Sequence, residues 1–286
     1  MLSQSKLISI VVTAYNVASY IEECINSILQ QTYQNFELII VEDCSTDDTL
    51  SIINKFDDSR IRVIRNKENV GAGLSRRIGI KACKGEYISL IDGDDYVLPI
   101  YLEYLLDKAE TNSADIAVIS CFTDSGEVLS IPKNTFEGRD TMKYLLGIRR
   151  HVVFLNTMLV KKWIWDKIDY CDRRYIEDTP NLVYLLHYAN KIVCENTPLY
   201  MYRYRKDSLT NSSNIYKDAV FSALASIDTR DAFEKFGYVF DEEESMRILK
   251  VTIYLSSLQS EEEQNKYKKE IDIIKNKYIE YSKESK

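Results

Sequence analysis

The segment ISIVVTAYN, residues 8–16, starts as a short β-branched run and ends in a polar turn. Two later segments have the same form: FELIIVEDCSTD at residues 36–47 and YISLIDGDD at residues 87–95. Apolar runs of this length, bounded by polar turns, are typical of strands that are buried on both faces. Each of these three predicted strands leads directly into polar or acidic residues.

Helical periodicity separates the predicted strands. Ile21, Ile25 and Ile28 recur at helical spacing, and Ser19 with Glu22 resembles a capping box at the start of that helix. Further helices are predicted near residues 50–56 and 74–83, with a strand at residues 61–64 between them. The alternation predicts an α/β fold whose central sheet is mostly parallel and is flanked by helices.

Ligands of such sheets bind beyond the carboxyl ends of the strands. The polar residues 13–16, 42–43 and 92–95 all follow predicted strands. We therefore expect them to meet at one edge of the sheet and to form a binding site there.

Residues 92–95 place three aspartates within four positions. Mg²⁺ and Mn²⁺ prefer carboxylate oxygens, and Mg²⁺ commonly joins one or two carboxylates to the phosphates of a substrate. The pattern is consistent with a divalent cation site. The alternative is an exposed acidic turn, because aspartate and glycine both favour turns.

The second strand end carries Glu42 and Asp43, which could accept hydrogen bonds from a base or a ribose. The alternative here is helix capping by Ser45 and Asp47.

The formal net charge is −7 and the isoelectric point is near 5.2. This acidity argues against nucleic acid as a partner. Six scattered cysteines without a CxxC pair are typical of reduced thiols, and no apolar stretch approaches the ~18 residues that span a bilayer. We expect a cytoplasmic protein, peripheral at most at the inner face of the membrane.

The pattern loosens after about residue 112, where strands are predicted at residues 116–121 and 191–193. Beyond Ile215 only helices are predicted, and one has an apolar stripe among lysines. That stripe consists of Tyr267, Ile271, Ile274 and Tyr278. The lysines could contact an anionic membrane, and the alternatives are a solvated face or a homodimer contact.

Residues 8–16, 42–47, 69–79 and 85–95, in this order and spacing, resemble the nucleotide-binding half of glycosyltransferase family 2, which has the GT-A fold. The resemblance implies a nucleotide-sugar-binding half at residues 1–110 and an acceptor-binding half at residues 111–212. A C-terminal helical region at residues 213–286 lies beyond it.

The resemblance also implies roles for donor-binding residues. Asp43 would contact the uracil, and Arg76 would help to hold the nucleotide. The turn that holds the base corresponds to Thr13, Ala14, Tyr15 and Asn16.

The acidic residues match the end of the family's metal-binding motif. The resemblance implies that Asp95 binds the metal, Mn²⁺ or Mg²⁺, together with Asp94, which would lie nearer to the ribose or the sugar. Asp178, in the pair Glu177-Asp178, would be the catalytic base. The stretch from residue 201 to 208 would close over the donor, with Arg203 or Arg205 binding its diphosphate.

The chain departs from the family pattern at a few positions. Glu42 stands for Asp, Cys44 for Gly, Ser75 for Ala and Arg77 for Asn. These changes bear on the identity of the donor more than on the reaction.

The implied function is inverting transfer from a nucleotide-diphosphate sugar, such as a UDP-sugar, to a hydroxyl of a glycan or a lipid-linked saccharide in bacterial surface polysaccharide synthesis. One alternative is a sugar-phosphate nucleotidyltransferase, although no glycine loop follows the first strand. The other is a non-catalytic subunit that binds a nucleotide sugar.

Overall fold

The computed structural model describes residues 6–137, 140, 155–168, 170–171, 178–204, 214–238 and 242–284. The chain forms two compact units. The first comprises residues 1–174 and 184–204, and the second comprises residues 175–183 and 205–286. The predicted division at residue 110 falls inside the first unit.

The first unit is built on one sheet. Its strands are β1 (Ile8–Ala14), β2 (Phe36–Glu42), β3 (Ile61–Arg65), β4 (Tyr87–Asp92), β5 (Tyr96–Val97), β6 (Ile116–Thr123), β7 (Val128–Leu129), β8 (Asn134–Glu137), β9 (Met158–Lys161) and β10 (Lys191–Tyr202). Its helices are α1 (Ile21–Leu29), α2 (Thr49–Ile53), α3 (Ala72–Ala82), α4 (Tyr101–Thr111) and α5 (Lys162–Trp165), with a 3-10 helix at Leu155–Thr157. Helix α6 (Asp178–Tyr188) begins in the second unit and ends in the first.

The main strand order is β3-β2-β1-β4-β9-β6-β10-β5, with β7 beside β6 and β8 beside β10. The four strands from β3 to β4 are mutually parallel. Strand β9 is antiparallel to both β4 and β6, and β10 is parallel to β6. The six strands expected from the sequence are confirmed, and the four additional strands β5, β7, β8 and β9 complete the sheet.

Register brings the carboxyl ends of the first strands together. Thr13 of β1 pairs with Asp92 of β4, and Ala14 pairs with Glu42 of β2. The polar residues that follow these strands therefore lie at one edge, as predicted.

Helices cover both faces of this sheet. Helix α1 buries Ile21 and Ile25 in a cluster with Ile10 of β1. Helix α3 packs on the opposite face, where a Cβ atom at Gly79 would lie 2.3 Å from the Cγ1 atom of Val11. Successive residues of a strand face opposite sides of the sheet, so Ile10 packs on the side of α1 and the neighbouring Val11 packs on the side of α3.

The predicted capping box of α1 is wrong. The helix begins at Ile21 after Tyr20, and no side chain caps its first turn. Tyr20 and Ile21 are instead fixed by backbone hydrogen bonds to the carbonyl oxygen of Val17. The turn thus satisfies two amide donors at the start of the helix without a side-chain cap.

The described part of the second unit is helical. After the start of α6 it contains α7 (Ile215–Lys235), α8 (Glu242–Ser257), α9 (Glu261–Lys266) and α10 (Lys268–Glu284). The predicted stripe of α10 is confirmed: Tyr267 just before it, Ile271 and Ile274 are buried, and Tyr278 is partly buried. Within the described residues, no helix is both long and apolar enough to cross a membrane.

Candidate active site

The acidic turn, residues 92–95, is anchored to the end of β1. The Gly93 amide donates to the carbonyl oxygen of Thr13 at 2.9 Å, and the Asp95 amide donates to the carbonyl oxygen of Asp92 at 3.0 Å. A Cβ atom at position 93 would lie 2.8 Å from the Thr13 carbonyl oxygen. Glycine is therefore required here because the turn approaches the β1 backbone so closely.

Asp92 joins two predicted donor-binding residues to the acidic turn. Its Oδ1 atom accepts from the Nη2 atom of Arg76 at 2.7 Å and from Thr13 Oγ1 at 3.4 Å. Its Oδ2 atom accepts from Asn156 Nδ2 at 3.2 Å. The ion pair is mostly buried, with 10% of the Arg76 side chain and 25% of the Asp92 side chain exposed.

Asp95 is enclosed by the end of β10 and is 2% exposed. Its Oδ2 atom accepts from the Tyr200 hydroxyl at 2.5 Å, and its Oδ1 atom accepts from the Arg203 amide at 2.9 Å. Burial and the neighbouring charges of Asp94 and Asp92 raise the pKa of the Asp95 carboxyl well above its usual range. The turn thus concentrates negative charge that a cation would offset.

Asp94 lies between these two carboxylates and is half-buried. Its carbonyl oxygen accepts from Arg203 Nε at 2.8 Å. Arg203 also pairs with Glu23 at 2.7 Å and lies over the ring of Tyr20, 4.9 Å from its centroid. This arginine, predicted to bind diphosphate, therefore contacts the acidic turn itself, while Arg205 lies outside the described residues.

Asp43 holds the loop that precedes α3. Its Oδ1 atom accepts from the Val70 amide at 2.9 Å and from Asn66 Nδ2 at 2.7 Å. Its Oδ2 atom accepts from the Gly71 amide at 2.8 Å and from Asn69 Nδ2 at 3.1 Å. Gly71 has φ 93°, a conformation that glycine adopts without strain. The predicted uracil contact of Asp43 stays a prediction, and the structure adds this role in holding the loop.

We expect Asp43→Asn to loosen this loop. An asparagine has one oxygen, so at least one of the two backbone amides, of Val70 or Gly71, would face a donor. An unsatisfied buried donor costs about 1–3 kcal/mol, so the free energy of unfolding should fall by that order. Urea denaturation measures this change, and Asp107→Asn on α4 is the control because Asp107 is 46% exposed. Equal stability of the two variants would contradict the role of Asp43 in holding the loop before α3.

Asn16 ties the turn after β1 to the turn after β2. It has φ 50°, its amide donates to Ser45 Oγ at 3.1 Å, and its Oδ1 atom accepts from the Thr46 amide at 2.8 Å. Ala14 is buried and its carbonyl oxygen accepts from the Asp43 amide, whereas Tyr15 is 42% exposed. The segment of four predicted base-binding residues is thus held by hydrogen bonds to the turn after β2, and the ring of Tyr15 is exposed within it.

The N-cap residue of α2 is Asp48, and its side chain makes no capping hydrogen bond; the side chain that contacts the start of the helix is that of Asp47. Asp47 Oδ1 accepts from the Thr49 amide at the start of α2, and Asp47 Oδ2 accepts from the Ala18 amide. Ser45 instead accepts from the amide of Asn16.

The donor set suits a cation that is shared with substrate phosphates. The described residues contain no group of three His, Cys, Asp or Glu side chains that could hold a metal alone. Mg²⁺ sites with substrate phosphates need only one or two carboxylates. Each oxygen of Asp95 accepts one hydrogen bond inside the protein and keeps a second lone pair, so the metal role predicted for Asp95 and Asp94 stays a prediction.

Asp178, the predicted base, is the first residue of α6 and is half-buried. It belongs to the second unit. Pro180 lies in the same first turn, where its missing amide hydrogen costs no helical hydrogen bond.

Sequence reasoning missed two residues of this site. Asn156 and Tyr200 both contact the acidic turn, yet they lie 64 residues from Asp92 and 105 residues from Asp95. The one available signal was the nearness of Tyr200 to residues 201–208, the stretch expected to close over the donor.

Comparisons with known proteins identify the family of the chain. The model of Glycosyl transferase family 2 matches residues 9–171, which is more than half of the chain. Glycosyltransferase GlyG of Streptococcus pneumoniae serotype 4 is 33% identical over 222 residues, 72% of this chain and 73% of that protein. UDP-Glc:alpha-D-GlcNAc-diphosphoundecaprenol beta-1,3-glucosyltransferase WfaP of Escherichia coli is 29% identical over 215 residues, 75% of this chain and 83% of that protein.

The fold has solved counterparts. The crystal structure of S. aureus TarS 1–349 in complex with UDP-GlcNAc superposes with a TM-score of 0.65 at 20% identity, covering 96% of this chain and 81% of that chain. Its complex with UDP gives a TM-score of 0.60 at 21% identity, covering 91% and 77%. These likenesses confirm the predicted mixed α/β, GT-A fold with C-terminal helices. On the family match and the GlyG identity, the chain belongs to glycosyltransferase family 2.

Proposed function

We propose that this glycosyltransferase moves a sugar from a UDP-sugar to a hydroxyl of a glycan or lipid-linked saccharide, with inversion at the anomeric carbon. The observation that carries the proposal is the acidic turn. Its outer carboxylates, Asp92 and Asp95, are fixed by buried partners, and Asp94 lies between them. Rigid placement of charge is what a transferase needs where its leaving group departs.

The edge formed by residues 13–16 and Asp43 would receive the nucleotide. Tyr15 supplies an exposed aromatic ring, and the Asn16–Thr46 contact fixes the turn beside it. A uridine nucleotide is supported by the solved TarS complexes with UDP-GlcNAc and UDP and by the UDP-Glc in the name of WfaP.

Asp95, together with Asp94 nearer to the ribose or the sugar, would hold Mn²⁺ or Mg²⁺ beside the diphosphate. Such a cation, when bound, stabilises the negative charge of the departing nucleoside diphosphate. The chain's own contribution is to orient Asp94 through the Arg203 hydrogen bond to its carbonyl oxygen and to supply positive charge through Arg76.

Asp178 would take the proton of the acceptor hydroxyl as that oxygen attacks the anomeric carbon. Inversion requires one such base and forms no covalent enzyme intermediate. The support is the Glu177-Asp178 pair of the sequence and its resemblance to the family's signature.

The acceptor class is supported by the name of WfaP, whose acceptor is a lipid-linked sugar diphosphate. We therefore propose a place in the assembly of a bacterial surface polysaccharide. Contact with the membrane, cytoplasmic location and dimer formation stay predictions from the sequence.

The test is nucleotide release from a panel of UDP-, GDP- and dTDP-sugars, each with Mn²⁺ and with EDTA. We expect UDP release from one donor in the presence of Mn²⁺, and its loss with EDTA. Release of pyrophosphate from a nucleoside triphosphate would instead indicate a nucleotidyltransferase. Calorimetric binding of a donor without turnover on lipid-linked saccharide extracts would indicate a non-catalytic subunit.

A further inference from the structure

The hydroxyl of Tyr200 is the meeting point of the acidic turn. Tyr200 lies within β10 and is completely buried. Its oxygen is 2.5 Å from Asp95 Oδ2, 2.9 Å from Asn156 Nδ2 and 3.3 Å from the Asp92 amide nitrogen. One phenol oxygen therefore contacts both ends of the turn.

The direction of each hydrogen bond follows from the atoms present. An amide nitrogen and a side-chain NH₂ can only donate, so the hydroxyl accepts from Asp92 and Asn156. Its single proton is left for Asp95. Burial and the charges of Asp95 and Asp92 raise the pKa of the Tyr200 hydroxyl.

Asn156 completes the arrangement. It is 4% exposed, and its Nδ2 atom donates both to Tyr200 and to Asp92 Oδ2. Its backbone carbonyl oxygen accepts from the Tyr101 hydroxyl at 3.0 Å. Both the backbone and the side chain of Asn156 are thus held by hydrogen bonds.

These contacts constrain Asp94 through its neighbours. Asp92 is held by its amide and by both carboxylate oxygens, and Asp95 is held by both carboxylate oxygens. The backbone on either side of Asp94 therefore has little freedom to move.

We propose that Tyr200, supported by Asn156, is a positioning residue that holds the acidic turn, residues 92–95, in the conformation in which its carboxylates meet the donor and its cation. This inference rests on the proposed function. Residues that orient metal ligands commonly change metal affinity by 10- to 100-fold when they are removed.

The experiment compares Tyr200→Phe with Tyr87→Phe. Tyr87 is also buried in the sheet, at the opposite end of β4, and its hydroxyl donates to Glu110 at 2.6 Å. Both variants lose one buried hydroxyl, but only Tyr200 contacts the acidic turn. The readout is the dissociation constant of Mn²⁺ measured by calorimetry at saturating UDP, with the melting temperature recorded for each variant.

We expect both variants to melt at a lower temperature. Only Tyr200→Phe should weaken Mn²⁺ binding, by about 10-fold or more. An unchanged Mn²⁺ dissociation constant in Tyr200→Phe, or an equal change in Tyr87→Phe, would overturn the inference while leaving the proposed function intact. Failure of the wild-type protein to bind Mn²⁺ with UDP would overturn the metal part of the proposed function and this inference with it. If Tyr200→Phe does not fold, Asn156→Ser removes the supporting bonds from Asn156 to Tyr200 and to Asp92 and should weaken Mn²⁺ binding in the same direction; an unchanged dissociation constant would overturn the inference.

Discussion

Asp94→Asn is expected to lower kcat/KM for the donor by about 100- to 1,000-fold. A bound cation contributes several kcal/mol to stabilisation of the leaving group, and each ~1.4 kcal/mol corresponds to a factor of ten. The amide keeps the size of the side chain and removes the charge that would attract the cation. Initial rates of UDP release across a Mn²⁺ titration measure the loss.

Two variants serve as comparisons for Asp94→Asn. Asp107→Asn removes one negative charge from the surface of α4 and should keep wild-type kinetics. Asp95→Asn should lower the free energy of unfolding by about 1–3 kcal/mol, because the amide cannot accept from both Tyr200 and Arg203. If Asp94→Asn retains Mn²⁺ affinity and Asp95→Asn loses it without a loss of stability, then Asp95 is the direct ligand, as the sequence predicted.

Asp178→Asn is expected to lower kcat by about 100- to 10,000-fold, the range that a positioned general base contributes. Donor affinity should remain within a few-fold of wild type, because the asparagine changes proton transfer and leaves the residues proposed to bind the donor unaltered. Single-turnover transfer to an acceptor and calorimetric binding of the donor measure the two effects separately.

Glu177→Gln is the matched control for Asp178→Asn, since it removes the adjacent carboxylate of the same pair. We expect a much smaller decrease in kcat for this variant. Normal turnover in Asp178→Asn together with a large loss in Glu177→Gln would move the base role to Glu177. Circular dichroism of both variants shows whether α6 still forms, because Asp178 is also the first residue of that helix.

Much of the sheet could be predicted because its central strands carry a local signal. Runs such as residues 8–12 and 36–41 are apolar at every position, and this pattern alone indicates a strand with both faces covered. Strand β9, at Met158–Lys161, carries no comparable signal, yet it lies between β4 and β6. Four residues are too few to show a period, so its place depends on the neighbours that pair with it.

In the candidate site, too, some features could be predicted from the sequence and others could not. Asp43, Asp94 and Asp95 follow strands and could be recognised from the sequence. The loop contacts of Asp43 and the enclosure of Asp95 could not, because they depend on backbone amides and on a tyrosine from a distant strand. The metal role of Asp95 and Asp94 stays a prediction, and the structure adds the two partners, Tyr200 and Arg203, that hold the Asp95 carboxylate.

The sequence by itself determined the α/β class, the gathering of polar strand ends at one edge, and the helical nature of the C-terminal region. These features depend on local periodicity, which is visible in one chain. Only the tertiary structure decided which carboxylates are fixed and which residue fixes them. Hydrogen bonds between residues 64 to 105 positions apart leave no periodic trace. The acidic turn receives Tyr200 from β10 and Asn156 from the 3-10 helix just before β9, so the tertiary arrangement of these elements decides both contacts.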